Sequence, residues 1–122
     1  MKFSEKTVIL LLFCIGLWEI APAQRLVPFT GKNGKVGYKY KHSGEEVIAP
    51  RFEAAKAFTG REGRVKMNGL WGVINRQGDV LVEPEYSFIF KFENGLAKAC
   101  KGGDKYGIGS QWGYIDKSGK EI

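Results

Sequence analysis

The chain has 122 residues, with 19 Lys and Arg against 13 Asp and Glu, one His and two Cys, for a net charge of +6. That length holds one small domain. One His and two Cys cannot assemble a zinc ligand set at the usual spacings, and no metal or other cofactor is expected.

Residues 1–23 read as a secretory signal peptide, helical in the precursor. Lys2 and Lys6 precede an apolar run from Val8 to Trp18, and Ala21-Pro22-Ala23 supplies a small-x-small pattern before Gln24. Cleavage is expected between Ala23 and Gln24. The apolar run of 11 residues falls short of a membrane span, which needs about 20, so no span is expected in the mature chain. Cys14 follows Phe13 inside that run, with no small residue before it, and does not read as a lipidation site. The leader carries two Lys and two Glu, so the mature chain keeps the full +6. It also keeps only Cys100, which leaves strand pairing and packing to do what disulfides do in many small secreted domains. The expected location is outside the cytoplasm, whether periplasmic, cell-surface or secreted.

The mature chain, 24–122, reads as strands and reversals. Leu26-Val27-Pro28-Phe29 is an N-terminal strand. Asn33-Gly34 and Asn68-Gly69 are two-residue turn signals, because both central residues tolerate positive φ. Between them, Val36-Tyr38-Tyr40 alternates with Gly37, Lys39 and Lys41, the period of a half-buried strand. Gly44 marks the next reversal, and Pro50 marks a strand end because it has no N–H for a ladder. Residues 53–57 match Ser87-Phe88-Ile89-Phe90-Lys91 further along, so no helix is expected there. Trp71 and Val73 repeat the alternation, followed by Gly78 and Pro84. Cys100, in the alternating run from Leu96, reads as a small buried hydrophobe. Residues 102–110 form a flexible glycine-containing loop without the spacing of a phosphate cradle. Trp112, Tyr114 and Gly119 then restart the pattern.

Three segments therefore superpose, at periods of about 35 and 41 residues. Pro follows the turn Gly by six residues in both complete units, and Phe58 and Phe92 follow Pro by eight. By spacing, unit one has one extra residue between Gly37 and Gly44 and two between Phe58 and Gly63, while unit two has nine between Gly95 and Gly113. Indels confined to a few intervals belong in loops. The framework positions are Gly37, Gly44, Pro50, Phe58, Trp71, Gly72, Gly78, Pro84, Tyr86, Phe92, Trp112, Gly113 and Gly119. Units are drawn at about 32–66, 67–110 and 111–122, the last partial, and each complete unit reads as a three-stranded antiparallel meander.

Trp71-Gly72-Val73-Ile74-Asn75-Arg76-Gln77-Gly78 and Trp112-Gly113-Tyr114-Ile115-Asp116-Lys117-Ser118-Gly119 resemble the WG-repeat proteins. Pro84-Glu85-Tyr86 and Phe92-Glu93-Asn94-Gly95-Leu96-Ala97 extend the resemblance, which covers about Lys32 to Ile122. Unit one departs from it, with Val36 in place of Trp and Arg64-Val65 in place of Leu-Ala. The resemblance implies an all-β bacterial repeat module, an antiparallel meander array, and no one activity.

Candidate chemistry is sparse. His42 lies in a polar turn without a nucleophile to serve. Glu45-Glu46 and the pair Glu83 and Glu85 flank strands, and a facing carboxylate pair would suit glycoside hydrolysis. Aromatic residues beside lysines suit an anionic or sugar-like polymer, with Tyr38, Tyr40, Lys98, Lys101, Lys105 and Tyr106 as candidate ligand contacts. Export argues against nucleic acid as a partner. The expected function is a non-catalytic binding or scaffolding module for a protein, peptide or envelope polymer. The alternatives are a carboxylate-dependent hydrolase of an envelope polymer and a fragment of a longer WG-repeat protein. Trp71 and Trp112 are expected to be structural anchors. The edge of the final hairpin, Trp112 to Ile122, invites closure onto Leu26–Phe29, self-association into a homo-oligomer, or capture by a partner.

Overall fold

The computed structural model describes residues 24–104 and 107–122. The expected signal segment, with Ala23 of its expected cleavage site, and Lys105 and Tyr106 lie outside the described residues. Within them the chain is all-β, with ten strands: β1 (Leu26–Thr30), β2 (Val36–Tyr40), β3 (Glu46–Phe52), β4 (Ala54–Ala55), β5 (Gly63–Met67), β6 (Leu70–Ile74), β7 (Val80–Tyr86), β8 (Phe88–Ile89), β9 (Leu96–Lys101) and β10 (Gln111–Asp116). No helix among the described residues is long and apolar enough to cross a membrane.

The strands form three antiparallel sheets, β1-β2-β3, β4-β5-β6-β7 and β10-β9-β8. The middle sheet has four strands where a three-stranded meander was expected. Its extra strand is Ala54–Ala55, two residues long and too short to carry a period. Closure onto Leu26–Phe29, one of the three outcomes set out for the final edge, does not occur: β1 and β10 belong to different sheets.

Reversals follow the glycines. Asn68 and Gly69 both have positive φ, and Met67 pairs with Leu70, which is the tight hairpin that Asn-Gly favours. Asn33-Gly34 makes a different turn. Only Gly34 is left-handed, and the loop closes through Gly31 N to Lys35 O at 2.8 Å and Gly34 N to Gly31 O at 3.0 Å. Asn75–Asp79 and Asp116–Lys120 repeat that five-residue turn, with Gly78 and Gly119 as the left-handed residues. In unit one Gly44 N reaches Tyr40 O, one position further back. That turn absorbs the extra residue seen between Gly37 and Gly44.

Pairing corrects the other two intervals. Val65 opposes Gly72 and Ala99 opposes Gly113, so Phe58 to Val65 matches Phe92 to Ala99 without an indel. The turns Thr59–Glu62 and Glu93–Leu96 carry equivalent bridges, which puts Glu62-Gly63, not Arg64-Val65, at the position of Leu96-Ala97. The insertion in unit two lies wholly at one hairpin tip, between the paired ends Lys101 and Gln111, where unit one has only Asn68-Gly69 between Met67 and Leu70.

Pro50 and Pro84 sit inside β3 and β7 rather than at strand ends. Both strands are sheet edges, where a residue without N–H is tolerated.

The middle sheet is covered on both faces. Val65 and Ile74 join Leu26, Tyr38, Ile48, Phe52 and Phe58 in one core with the first sheet. Trp71, Val73, Val82 and Tyr86 join Ile89, Ala97, Ala99 and Ile115 in a second core with the third sheet. Repeat stacking is thus the source of the hydrophobic core, as expected for units that bury no face alone. Cys100 is buried and free.

Candidate functional site

Within each sheet, the first and third residues of the Val/Trp-Gly-x segment point toward the next sheet, and the glycine points back, because side chains alternate along a strand. In the first sheet Tyr38 is fully buried, and its hydroxyl donates to Lys56 O of the second sheet at 2.6 Å. Burial pushes the Tyr38 phenol well above its ordinary value, with the Arg64 charge acting weakly the other way. In the second sheet Trp71 is 8% exposed. Its ring meets Phe88 of the third sheet edge-on at 5.5 Å, and Lys56 Nζ lies 5.8 Å from the ring centroid. Arg64 also crosses to the third sheet, donating from Nη1 to Ile89 O at 3.0 Å. Partial burial lowers its pKa, partly offset by Tyr38.

The equivalent side chains of the third sheet have no further sheet over them among the described residues. Trp112 is 54% exposed and Tyr114 is 52% exposed. Phe90, which takes the place of Lys56 beside the tryptophan, is also exposed, with its ring 5.9 Å from Trp112 and 4.9 Å from Phe88. Lys98 Nζ sits 5.0 Å from the Trp112 ring centroid. Phe90, Lys98, Trp112 and Tyr114 thus form an open aromatic face crossed by one cation.

A groove of about 210 Å³ runs along the β10 edge of the same sheet, bordered by Trp112 and Tyr114 as well as by Tyr86, Ala99, Lys101 and Glu121. Lys101 Nζ pairs with Glu121 Oε2 at 2.7 Å, and the Tyr86 hydroxyl donates to the same oxygen at 3.2 Å. The hydrogen bond from Lys101 holds the Glu121 carboxyl below the usual range and raises Lys101 in turn. Burial raises the Tyr86 phenol, opposed by the Lys101 charge and reinforced by the bond to Glu121.

Among the residues expected to contact a ligand, Tyr38 is a correction: a side chain with no exposed surface contacts nothing outside the core. Tyr40 is half-buried and packs against the first core. Lys98 and Lys101 lie on opposite sides of the third sheet, on the aromatic face and in the groove. His42 is exposed in the β2–β3 turn. Glu83 and Glu85 are exposed on either side of Pro84, and neither lines the groove. Sequence reasoning passed over Phe90, Tyr114 and Glu121. Tyr114 carried a signal, since it occupies the position of Tyr38, but the motif is the same whether a sheet lies beyond it or not.

The WG containing repeat family matches residues 40–71, 71–106 and 112–122, more than half of the chain. The chain belongs to the WG-repeat family. Its matches cover the two Trp-Gly segments described above and run through the turn at Gly44, where the first unit begins to follow the pattern. Val36-Gly37 stands outside the matched WG-repeat residues, yet it holds the same place in the first sheet as Trp71-Gly72 in the second. No curated protein and no solved structure matches this WG-repeat chain.

Proposed function

We propose that this protein is a non-catalytic, exported binding module whose contact surface is the outer face of the third sheet. One observation carries the reading: positions covered by the next sheet at Tyr38 and Trp71 are open at Tyr114 and Trp112. Large aromatic surfaces are costly to leave in water and are a common mark of interaction sites. Lys98 over Trp112 adds a cation beside flat apolar rings, which suits an acidic envelope polymer or an acidic stretch of protein. Export rests on the leader pattern from Lys2 to Ala23. Titration with polygalacturonate, an acidic polysaccharide, tests the surface directly. The double substitution Lys98→Ala and Trp112→Ala is expected to weaken binding by about tenfold or more while lowering the melting temperature less than Trp71→Ala does. Binding is also expected to weaken as salt is added. Equal binding by the double variant would remove this face as the site.

A further inference from the structure

The chain carries three Asn-Gly pairs, Asn33-Gly34, Asn68-Gly69 and Asn94-Gly95, and each asparagine is exposed at a turn. Asn-Gly is chemically labile as well as turn-forming. The glycine nitrogen, unhindered by a side chain of its own, can attack the carbonyl carbon of the asparagine side chain. A new C–N bond forms, the side-chain nitrogen leaves as ammonia, and the product is a succinimide ring. Water then opens the ring at either carbonyl and leaves aspartate or isoaspartate. No oxidant or cofactor is consumed.

The fold treats the three pairs differently. The Asn33 side chain is held at both ends: Nδ2 donates to Pro50 O at 3.1 Å, and Oδ1 accepts from Lys35 N at 3.0 Å. Gly34 N also donates to Gly31 O at 3.0 Å. Attack at Asn33 therefore has several bonds to break first. Asn68 and Asn94 share a tighter turn, with φ of 52° and 53°, and differ at the nucleophile. Gly69 N donates to the Glu53 carboxylate, 3.1 Å from Oε1 and 3.2 Å from Oε2, and an anion held there opposes loss of the amide proton. The turn at Asn94 closes through Glu93 N to Leu96 O at 2.8 Å and Leu96 N to Glu93 O at 3.1 Å. Neither bond uses Gly95 N, which has no partner among the described residues.

We propose that Asn94 is a site of spontaneous deamidation, converting faster in the folded protein than Asn68, with Asn33 slowest. The position is a sensitive one, because neighbouring Phe92 is buried in the second core. Isoaspartate routes the main chain through the former side chain and lengthens it by one atom, so Glu93 and Leu96 cannot keep both bonds. The reaction needs only water and does not depend on what the outer face binds.

The test is incubation of the folded protein in mildly alkaline buffer, with proteolytic peptides weighed over time for the exchange of NH2 by OH. Asn94 should convert about fivefold or more faster than Asn68, the factor set by one hydrogen bond that must break first. In urea-unfolded protein the three rates should come together, because the turn bonds are gone. Glu53→Ala should bring the folded rate at Asn68 up toward that at Asn94. Asn94→Gly keeps a residue at ease with positive φ and removes the amide, so its melting temperature should hold through an incubation that lowers the parent's. Any of four results overturns the inference: a folded Asn94 no faster than Asn68, the same order of rates in urea, an Asn68 rate unchanged by Glu53→Ala, or a parent that melts as before with Asn94 converted.

Discussion

Two tryptophans in the same motif have different environments. Trp71 is enclosed because Phe88 of the next sheet caps its ring, and Trp112 is left to Phe90 and Lys98 of its own sheet. The sequence predicts both as anchors, since a motif repeats whether or not its partner surface does. Burial depends on what lies beyond the repeat, and spacing within it holds no record of that. The energetic consequence is asymmetric. Trp71→Ala is expected to cost about 3–5 kcal/mol, the range for deleting a buried large aromatic. Trp112→Ala should cost well under half of that, because its ring already meets water. Chemical denaturation of both variants beside the parent checks this, and comparable losses would contradict the described packing.

Turns and strands were legible to different degrees. Five-residue turns at Asn75 and Asp116 show in the recurring Gly, and the structure adds why the first residue is Asn or Asp. Asn75 Oδ1 accepts from Gln77 N at 3.0 Å and Asp79 N at 2.9 Å, and Asp116 Oδ1 accepts from Ser118 N at 2.9 Å and Lys120 N at 3.0 Å. Ser118 Oγ adds a bond at 2.7 Å. The Ser118 hydroxyl first, then the Lys120 and Ser118 amides, hold the Asp116 carboxyl below the ordinary carboxylate value. A carboxylate depressed in the folded state stabilises it above the unfolded value of about 3.9 and loses that contribution as pH falls through the lower folded value. Asp116→Asn should keep the turn, as Asn75 does, and lose this acid sensitivity. Melting curves between about pH 6 and pH 2 should show the parent losing stability relative to the variant on acidification; parallel curves would count against it. The two-residue strands β4 and β8 were not legible, since two residues hold no period. Aligning Gly63 with Gly95 makes the insertion nine residues. Pairing shows that these glycines are not equivalent, and Phe58 with Phe92 is the anchor to count from.

The whole molecule is a stack in which the middle sheet belongs to both cores. Its strand β6 is buried at Trp71, Gly72, Val73 and Ile74, with Ile74 facing one core and Trp71 and Val73 the other. Stability in such an array is a sum of units and nearest-neighbour interfaces, and among the described residues only the middle sheet has an interface on each side. The slowest-exchanging amides are therefore expected in β6, with β1 and β10 exchanging sooner. Hydrogen exchange read by residue tests this, and uniform protection across the three sheets would refute it. The repeated order of sheets was visible in the sequence. The exposure of Trp112 and Tyr114 was not, because the same motif recurs whether or not a sheet covers it.

Back-facing glycines at Gly37 and Gly72 and forward-facing rings at Tyr38 and Trp71 give the stack a polarity. Each sheet offers aromatic side chains ahead and glycine behind. Two copies related by a two-fold axis at the third sheet would set Trp112 against Trp112 and Lys98 against Lys98, which reproduces no internal contact and opposes like charges. Only head-to-tail addition repeats the contacts the chain already uses, and that kind of contact has no built-in stop. We propose that any self-association through these faces runs head to tail rather than as a closed symmetric pair.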